Sequence, residues 1–536
     1  QLRQVAFGEG GEATTERLVR ELLRQADPDA ALPEPVFTPE DDAPTVTGSR
    51  TPETYLGAAR ASMFASGRLP EGRQELTFPD SLEPDTFALE GTWDVGRQSV
   101  SPADGPARLR LAYHGRQVNL VVSGEGDLTY SVDGPHDTDH YWNEYAAYIF
   151  SPQEMDSVRA QAEEMHRMCL ETVEYIASGA FGTLGLPQAA FNLAVESWNR
   201  RDADFYGRFD FTYSGVPGDP MKLLEYNADT PTGIVEAAVS QKTWAKDQRL
   251  DTRGYAHWGE IGEAFTNRWR HIFAPEITAG VQPVLHLAHV SPEIDENNED
   301  YNNLWLIAYT AQQAGIKTHM IPIDEVIFNE DTKSWEDAQG RRITNLFKLY
   351  PWEDLVTDSE AGYDKLLFAY HGAMDRWIEP AWKMFLSNKL LLAALWDKYP
   401  GHPNLVPTYA GHRGGMRNWV RKPIFGREGD GVEIYAPDYD VFIKPEDDDF
   451  FANAPESEFV YQEYIPAPRY EGIINPVSHP ILGVWVVDGR TVGVGIRESN
   501  GALTDYWCRF APHLVDLNDS TGMGFGTTDP GTANFG

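Results

Sequence analysis

Cysteine is nearly absent: only Cys169 and Cys508 occur in 536 residues, and neither belongs to a CxxC pair. A disulfide framework and dithiol redox chemistry are therefore not expected. Cys169 falls on the apolar side of an expected helix and reads as a buried small hydrophobe. Cys508, between Trp507 and Arg509, carries no mark of a nucleophile. Long apolar runs are also missing. None approaches the roughly 20 residues that a membrane helix needs, so no membrane insertion is expected. Basic residues are scarce, with 44 Lys and Arg against 82 Asp and Glu and a formal net charge of -38. That balance repels phosphate backbones and anionic lipids, which argues against a nucleic-acid partner. It reads as a solvated, self-repelling surface, and any nucleotide site must build its own local positive field. His140, His166, His286, His289, His371, His402 and His513 show neither HExxH nor tight ligand spacing, so zinc hydrolysis has no support. The chain starts at Gln1 with no basic stretch leading into an apolar one, and no signal peptide is read.

What is present points to a folded chain of two or three domains, since single cores stop growing near about 250 to 300 residues. Hydrophobic residues at 41% and charged residues at 24% fit that class. Residues 1–53 read as a short helix plus linker. Leu18, Val19, Leu22 and Leu23 share one helical face behind Thr14 or Thr15 as N-cap, and a Pro-, Asp-, Glu- and Thr-rich stretch follows. Residues 54–134 read as a mostly-β, partial sandwich-like segment. Leu109, Leu111 and Tyr113, then Val118, Leu120 and Val122, then Leu128, Tyr130 and Val132 alternate with polar residues between glycines. The series stops after about half a sandwich, leaving an apolar face and edges uncovered. Either the remaining chain covers them or the sequence is a truncated or joined product. Residues 141–515 mix helices and strands. Ser151, Pro152 and Glu154 form a capping-box start, and Met155, Val158, Ala162, Met165, Cys169, Val173 and Ile176 follow as one buried stripe. Residues 516–536, rich in Gly, Thr and Asp, are expected to be disordered. The fold class is α+β.

The chemistry concentrates in five phrases. GRFDFTYSGVPGDPMKLLEYNADTPTG, residues 207–233, reads as two strands joined by a Gly/Pro turn that sets Asp210 beside Glu225. Two carboxylates sharing one place require a cation, and with the amide oxygen of Asn227 they form a hard-oxygen set suited to Mg²⁺. Arg208, separated from Asp210 by one residue and read as lying on the opposite pleat, is expected to clamp a phosphate or carboxylate rather than to pair with Asp210. By itself this phrase is equally compatible with an ordinary hairpin whose polar residues face water. Lys389 opens an apolar run in WIEPAWKMFLSNKLLLAALW, residues 377–396. Lys422 leaves a strand in VRKPIFGREGDGVEI, residues 420–434, where Gly426, Arg427 and Gly429 shape a turn that lets backbone N–H groups approach phosphate. The turn is neither a Walker A loop nor a GxGxxG motif. Gln462 and Glu463 close the strand EFVYQEYI, which suits an adenine edge read by backbone groups. Arg497 emerges from the small-residue strand VGVGIRE.

The ordered run RFDF, LLEYNADTPTG, EAAVSQKTW, NLFKLYPWE, IEPAWK, SNKLLLAALW, HPNL, KPIFGREG, YQEY and GVGIRE resembles the glutathionylspermidine synthase family of ATP-grasp enzymes over residues 141–515. That resemblance implies an ATP-grasp fold with a pre-ATP-grasp region and an ATP- and Mg²⁺-dependent carboxylate–amine ligase working through an acyl phosphate. Asp210, Glu225 and Asn227 would hold Mg²⁺, Lys389 and Lys422 would contact ATP phosphates, Arg208 would steady the transferring phosphoryl group, and Arg497 would meet the acyl phosphate or substrate. A small-molecule or peptide carboxylate and an amine, possibly a polyamine, would be the partners. Bifunctional relatives carry a cysteine amidase domain, but no nucleophilic Cys with a His partner precedes the synthetase region, so amidase activity is not expected. TYLGAARASMFASG (54–67) and FALEGTWDVG (87–96) resemble the region beyond the thioredoxin domain of DipZ-type proteins. ATP use implies the cytoplasm, whereas the DipZ-like segment hints at an extracytoplasmic module. A catalytically silent ATP-grasp scaffold with a glycan- or partner-binding N-terminal module is the reading from another class.

Overall fold

The computed structural model describes residues 54–79, 81–113, 141–142, 146–216, 218–291, 299–359, 362–445, 454–470, 477–505, 508–518 and 526–528. The chain divides into two compact units, residues 1–123 and 124–536. The expected helix at residues 14–25 and the expected strands at 118–122 and 128–132 lie outside the described residues.

In the first unit the strands Gly72–Leu76, Phe87–Val95 and Val100–Leu111 form an antiparallel sheet in that order. Phe87, Leu89, Trp93 and Val95 alternate inward and close a small core with Phe64 and Leu69, as the period-two pattern requires. Leu109 and Leu111 lie on the third strand, and Tyr113 falls beyond its end. Gly57 is indispensable to this packing: a Cβ there would stand 2.3 Å from the Gln98 carbonyl carbon.

In the second unit the helix Pro152–Ala177 begins at a complete capping box: Glu154 N–H donates to Ser151 Oγ at 3.2 Å, and Ser151 N–H donates to Glu154 Oε2 at 2.8 Å. Its stripe from Met155 to Ile176 is buried, as expected, in one core with Phe209, Phe211, Leu482, Val484 and Val494. Those partners belong to a five-stranded sheet ordered Arg509–Ala511, Arg490–Ser499, His479–Val487, Gly207–Thr212, Lys222–Asn227, called here the hairpin sheet. Phe209 and Phe211 supply the apolar face of their strand, which leaves Arg208 and Asp210 on the other face.

A second five-stranded sheet, the Lys422 sheet, runs Thr408–Ala410, Phe459–Glu463, Trp419–Pro423, Glu433–Ala436, Val441–Ile443. A four-stranded parallel sheet holds Arg376–Ile378, Asn345–Lys348, Val284–His289 and Lys317–Pro322 in that order. The helix Glu299–Gln313 makes one of its crossovers, burying Leu304, Ile307, Ala308 and Ala311. No described helix is long and apolar enough to cross a membrane. The C-terminal stretch expected to be disordered departs from that expectation at Gly526–Thr528, which pairs antiparallel with Ala147–Phe150. Backbone pairing with an open strand edge needs no apolar side chains, and composition alone therefore missed it.

Candidate active site

The hairpin read from the sequence forms in the expected register: Asp210 stands opposite Glu225, and Arg208 opposite Asn227. Asn227 Nδ2 lies 2.9 Å from Glu225 Oε1 and 3.4 Å from Asp210 Oδ2, so three oxygen-bearing side chains meet at one point. Arg497 reaches the same place from two strands away and contacts Asp210 Oδ2 at 2.5 Å. Lys389, at the start of the helix Leu390–Lys398, approaches Glu225 Oε2 to 3.2 Å and donates to the Gly426 carbonyl. Lys422 enters from its own sheet, donating to Leu224 O at 3.0 Å and Gln462 Oε1 at 2.7 Å.

The expected position of Arg208 needs correction. Residues two apart on a strand share a face, and Arg208 pairs bidentately with Asp210, Nε to Oδ1 at 2.9 Å and Nη2 to Oδ2 at 3.2 Å. Its remaining nitrogen donates to Thr232 O at 2.7 Å. Gly483, opposite Asp210, makes room for this side chain: a Cβ there would lie 3.0 Å from Arg208 Cδ.

The electrostatics follow from the count. Arg208, Arg497, Lys389 and Lys422 surround Asp210 and Glu225, four cations against two carboxylates, an excess of two positive charges among these six groups. Burial raises the Glu225 carboxyl, but Lys389 and Lys422, with the Asn227 amide, outweigh it and hold the group well below the usual carboxylate range. Burial pulls the Lys422 ammonium down to about 8. A net positive, largely buried cluster in a strongly acidic chain sets up a local field of the sign that attracts an anion.

The strand Phe459–Glu463 pairs with Thr408–Ala410 on one side and Trp419–Pro423 on the other, and Glu463 N–H donates to Pro407 O at 2.8 Å, so backbone groups within the strand are taken up by its ladders. Gln462 acts through its side chain instead, accepting from Lys422 and donating to Leu223 O at 3.0 Å. Arg427 turns to Glu353 and pairs with it. The turn itself is tight, with Glu428, Gly429 and Gly431 at positive φ, and the Gly426 N–H is taken up by Pro423 O at 3.2 Å.

For a divalent cation, the donor chemistry fits. Among the described residues no group of three or more His, Cys, Asp or Glu side chains could hold a metal, so a cation here rests on two carboxylates and one amide. Those are hard oxygen donors of the kind Mg²⁺ takes, once the Asn227 amide presents its oxygen rather than its nitrogen.

The sequence reading missed the buried charges behind the site. Asp229 pairs with Lys348, and Glu379 with Lys383, all four essentially unexposed. Glu379 accepts the N–H groups of Phe205 and Tyr206, and burial pushes its carboxyl up to about 7. Glu498, next to Arg497, accepts from Tyr148 Oη at 2.6 Å and contacts Arg509. A signal existed in NLFKLYPWE and IEPAWK, where single charged residues stand among aromatic and apolar ones.

Comparison with known proteins shows what the chain is similar to. The family model described as Glutathionylspermidine synthase preATP-grasp matches residues 119–516, and the one described as Thioredoxin like C-terminal domain matches residues 51–173. A Haemophilus influenzae protein whose name describes it as an acid–amine ligase is 34% identical over 381 residues, 70% of this chain and 91% of that protein. Trypanothione synthetase of Crithidia fasciculata is 27% identical over 352 residues, 62% of this chain but only 50% of that protein. Protein DipZ of Mycobacterium bovis is 38% identical over 134 residues, 25% of this chain and 19% of DipZ.

Proposed function

Because the chain belongs to the glutathionylspermidine synthase preATP-grasp family, a family of C–N ligases, we propose that it joins a carboxylate to an amine in a reaction that uses ATP and Mg²⁺. The single observation that carries this reading is the cluster of four cations around Asp210 and Glu225, with Asn227 completing an oxygen set. When bound, MgATP would supply the γ-phosphoryl group, so that the carboxylate becomes an acyl phosphate with loss of ADP and the amine then expels inorganic phosphate from the acyl carbon, losing a proton as the amide forms.

The chain's own residues bind, orient and neutralise. Lys389 and Lys422 draw in the polyphosphate, each held by a backbone carbonyl that fixes its reach. Asp210, Glu225 and Asn227 would hold the cation. Arg208 and Arg497, both on Asp210 in the ligand-free chain, are placed to turn their guanidinium forks toward the charge that develops on the transferring group. The Gly426 carbonyl holds Lys389, and the Gln462 side chain accepts from Lys422. Holding both substrates together supplies orientation, and no Cys or His nucleophile is needed.

The amine in this reading is a polyamine and the acid a small thiol peptide, on the strength of the relatives' names. ATP use puts the reaction in the cytoplasm. The test is a mass-spectrometric screen of acids and amines with ATP and Mg²⁺, run beside Asp210→Asn. An amide product formed by the wild type and not by the variant supports the reading, and full activity in Asp210→Asn removes the metal assignment. Tight MgATP binding with no ADP release across the panel turns the chain into a silent scaffold, and products only at peptide termini change the acid class.

A further inference from the structure

Two lysines without a role in the proposed reaction are among the most buried cations of the chain. Lys348 ends the strand Asn345–Lys348, Lys383 closes the turn Ala381–Lys383, and neither is exposed at all. A buried ammonium persists only where it is paired and bonded, so what each one holds is informative. Lys348 Nζ contacts Asp229 Oδ1 at 2.5 Å and donates to Tyr350 O at 3.0 Å, while the other oxygen of Asp229 accepts the Trp352 N–H at 2.8 Å. Lys383 Nζ donates to the carbonyls of Tyr206 and Ala228 at 2.8 and 3.1 Å, with the Glu379 carboxylate 3.4 Å away.

Both lysines end on one strap, residues 228–232, which joins Asn227 to the helical segment that begins at Ile234. The strap has no regular secondary structure, yet Ala228, Asp229 and Pro231 are buried, so its backbone depends on partners from elsewhere. Tyr206 Oη donates to Pro231 O at 3.1 Å, and Arg208 Nη1 to Thr232 O at 2.7 Å. One end of the strap therefore carries Asn227 and the other anchors Arg208.

We infer that Lys348 and Lys383 are positioning residues that fix the 228–232 strap and thereby set where the Asn227 amide and the Arg208 guanidinium stand relative to Asp210 and Glu225. The inference rests on reading those four groups as the cation and phosphoryl site. Lys389 and Lys422 are held by Gly426, Leu224 and Gln462 instead. Disturbing the strap thus weakens cation binding and phosphoryl transfer while leaving the attraction for polyphosphate in place.

The test uses the full chain and two variants. Lys348→Met with Asp229→Asn removes both charges and leaves no unpaired buried ion. Tyr206→Phe deletes one hydroxyl from the strap's support. Four quantities are measured: ATP affinity by calorimetry in EDTA, the Mg²⁺ dependence and the kcat of amine-stimulated ADP release, and the thermal midpoint. In the double variant, metal-free ATP affinity stays within about twofold, while the Mg²⁺ concentration for half-saturation rises and kcat falls by about tenfold or more, the size seen when groups behind metal ligands are lost. Tyr206→Phe moves the same two quantities in the same direction, by about threefold. A lowered thermal midpoint with wild-type Mg²⁺ dependence and kcat per folded molecule overturns the inference, as does equal weakening of ATP and Mg²⁺ binding. If the double variant does not fold, Tyr206→Phe decides by the same criterion. Wild type that releases no ADP overturns the parent reading along with this one, whereas active wild type with unchanged variants overturns this one alone.

Discussion

If Lys422 meets the phosphates as proposed, its ammonium makes nucleotide affinity a function of pH. Burial brings it to about 8, with Lys389 lowering it further while Glu225 and Asp210 pull the other way. At about 1.4 kcal/mol per pH unit, the descent from the ordinary value of 10.5 corresponds to about 3 kcal/mol against the charged form in the ligand-free chain. Polyphosphate binds the protonated form, so apparent affinity falls by the factor 1 + 10^(pH − 8). From pH 7.5 to 9.0 that amounts to about an eightfold loss, or about 1.2 kcal/mol. The sign for stability is the reverse: the unfolded chain holds this proton more tightly, so the cost of burying Lys422 is present below pH 8 and is relieved as pH rises from 8 to 10.5. Calorimetric titration of metal-free ATP at pH 7.5, 8.2 and 9.0 reads the effect, with Lys422→Met as control. That variant should bind weakly and without pH dependence over the range. An affinity flat from 7.5 to 9.0 in wild type, or the same slope in Lys422→Met, would refute the assignment of Lys422 to the phosphates.

Other consequences are simpler to check. Ser151→Ala removes one half of the capping box on Pro152–Ala177, and urea unfolding should show a loss of about 1 kcal/mol with the m-value unchanged. Glu225 titrates well below its ordinary value in the fold, so it contributes stability that is present above about pH 4.5 and is lost as pH falls further. Acid unfolding of Glu225→Gln should lack that component and start from a lower stability at pH 7. The net charge of -38 repels free ATP during approach, and its association rate should therefore rise, by roughly a few fold, between 20 and 150 mM salt. A rate that falls with salt would mean that the local cluster, not the whole surface, governs encounter.

The parts of the fold legible in the sequence were those set by local rules. The turn between Thr212 and Lys222 and the alternation on either side made the hairpin legible, while the register shift between Phe211 and Asp210 that sets Asp210 opposite Glu225 was not. The capping box and the stripe from Met155 to Ile176 were legible for the same reason. The pairing of Arg208 with Asp210 was legible too, because residues two apart on a strand share a face. The interior position of Phe459–Glu463 was hidden in principle, because both neighbours, Thr408–Ala410 and Trp419–Pro423, come from elsewhere in the chain. Lys348 and Lys383 left a signal as single charges inside apolar phrases, but the partner of Lys348, about 120 residues away, could not be read from its phrase.

Net charge, in turn, says little about a site of this kind. The field at Asp210 is set at contact distance by Arg208 and Arg497, and that at Glu225 by Lys389 and Lys422. The acidic surface beyond a Debye length of about 8 Å is largely screened. Burial raises the effective strength of the nearby groups just as it removes water from them. The two carboxylates at the centre then have a second use in the ligand-free chain. Asp210 binds both arginines and Glu225 a lysine, so mutually repelling cations are held together at one point before any anion arrives. In the proposed reading, an entering polyphosphate would take over that neutralising role and free carboxylate oxygens for a cation.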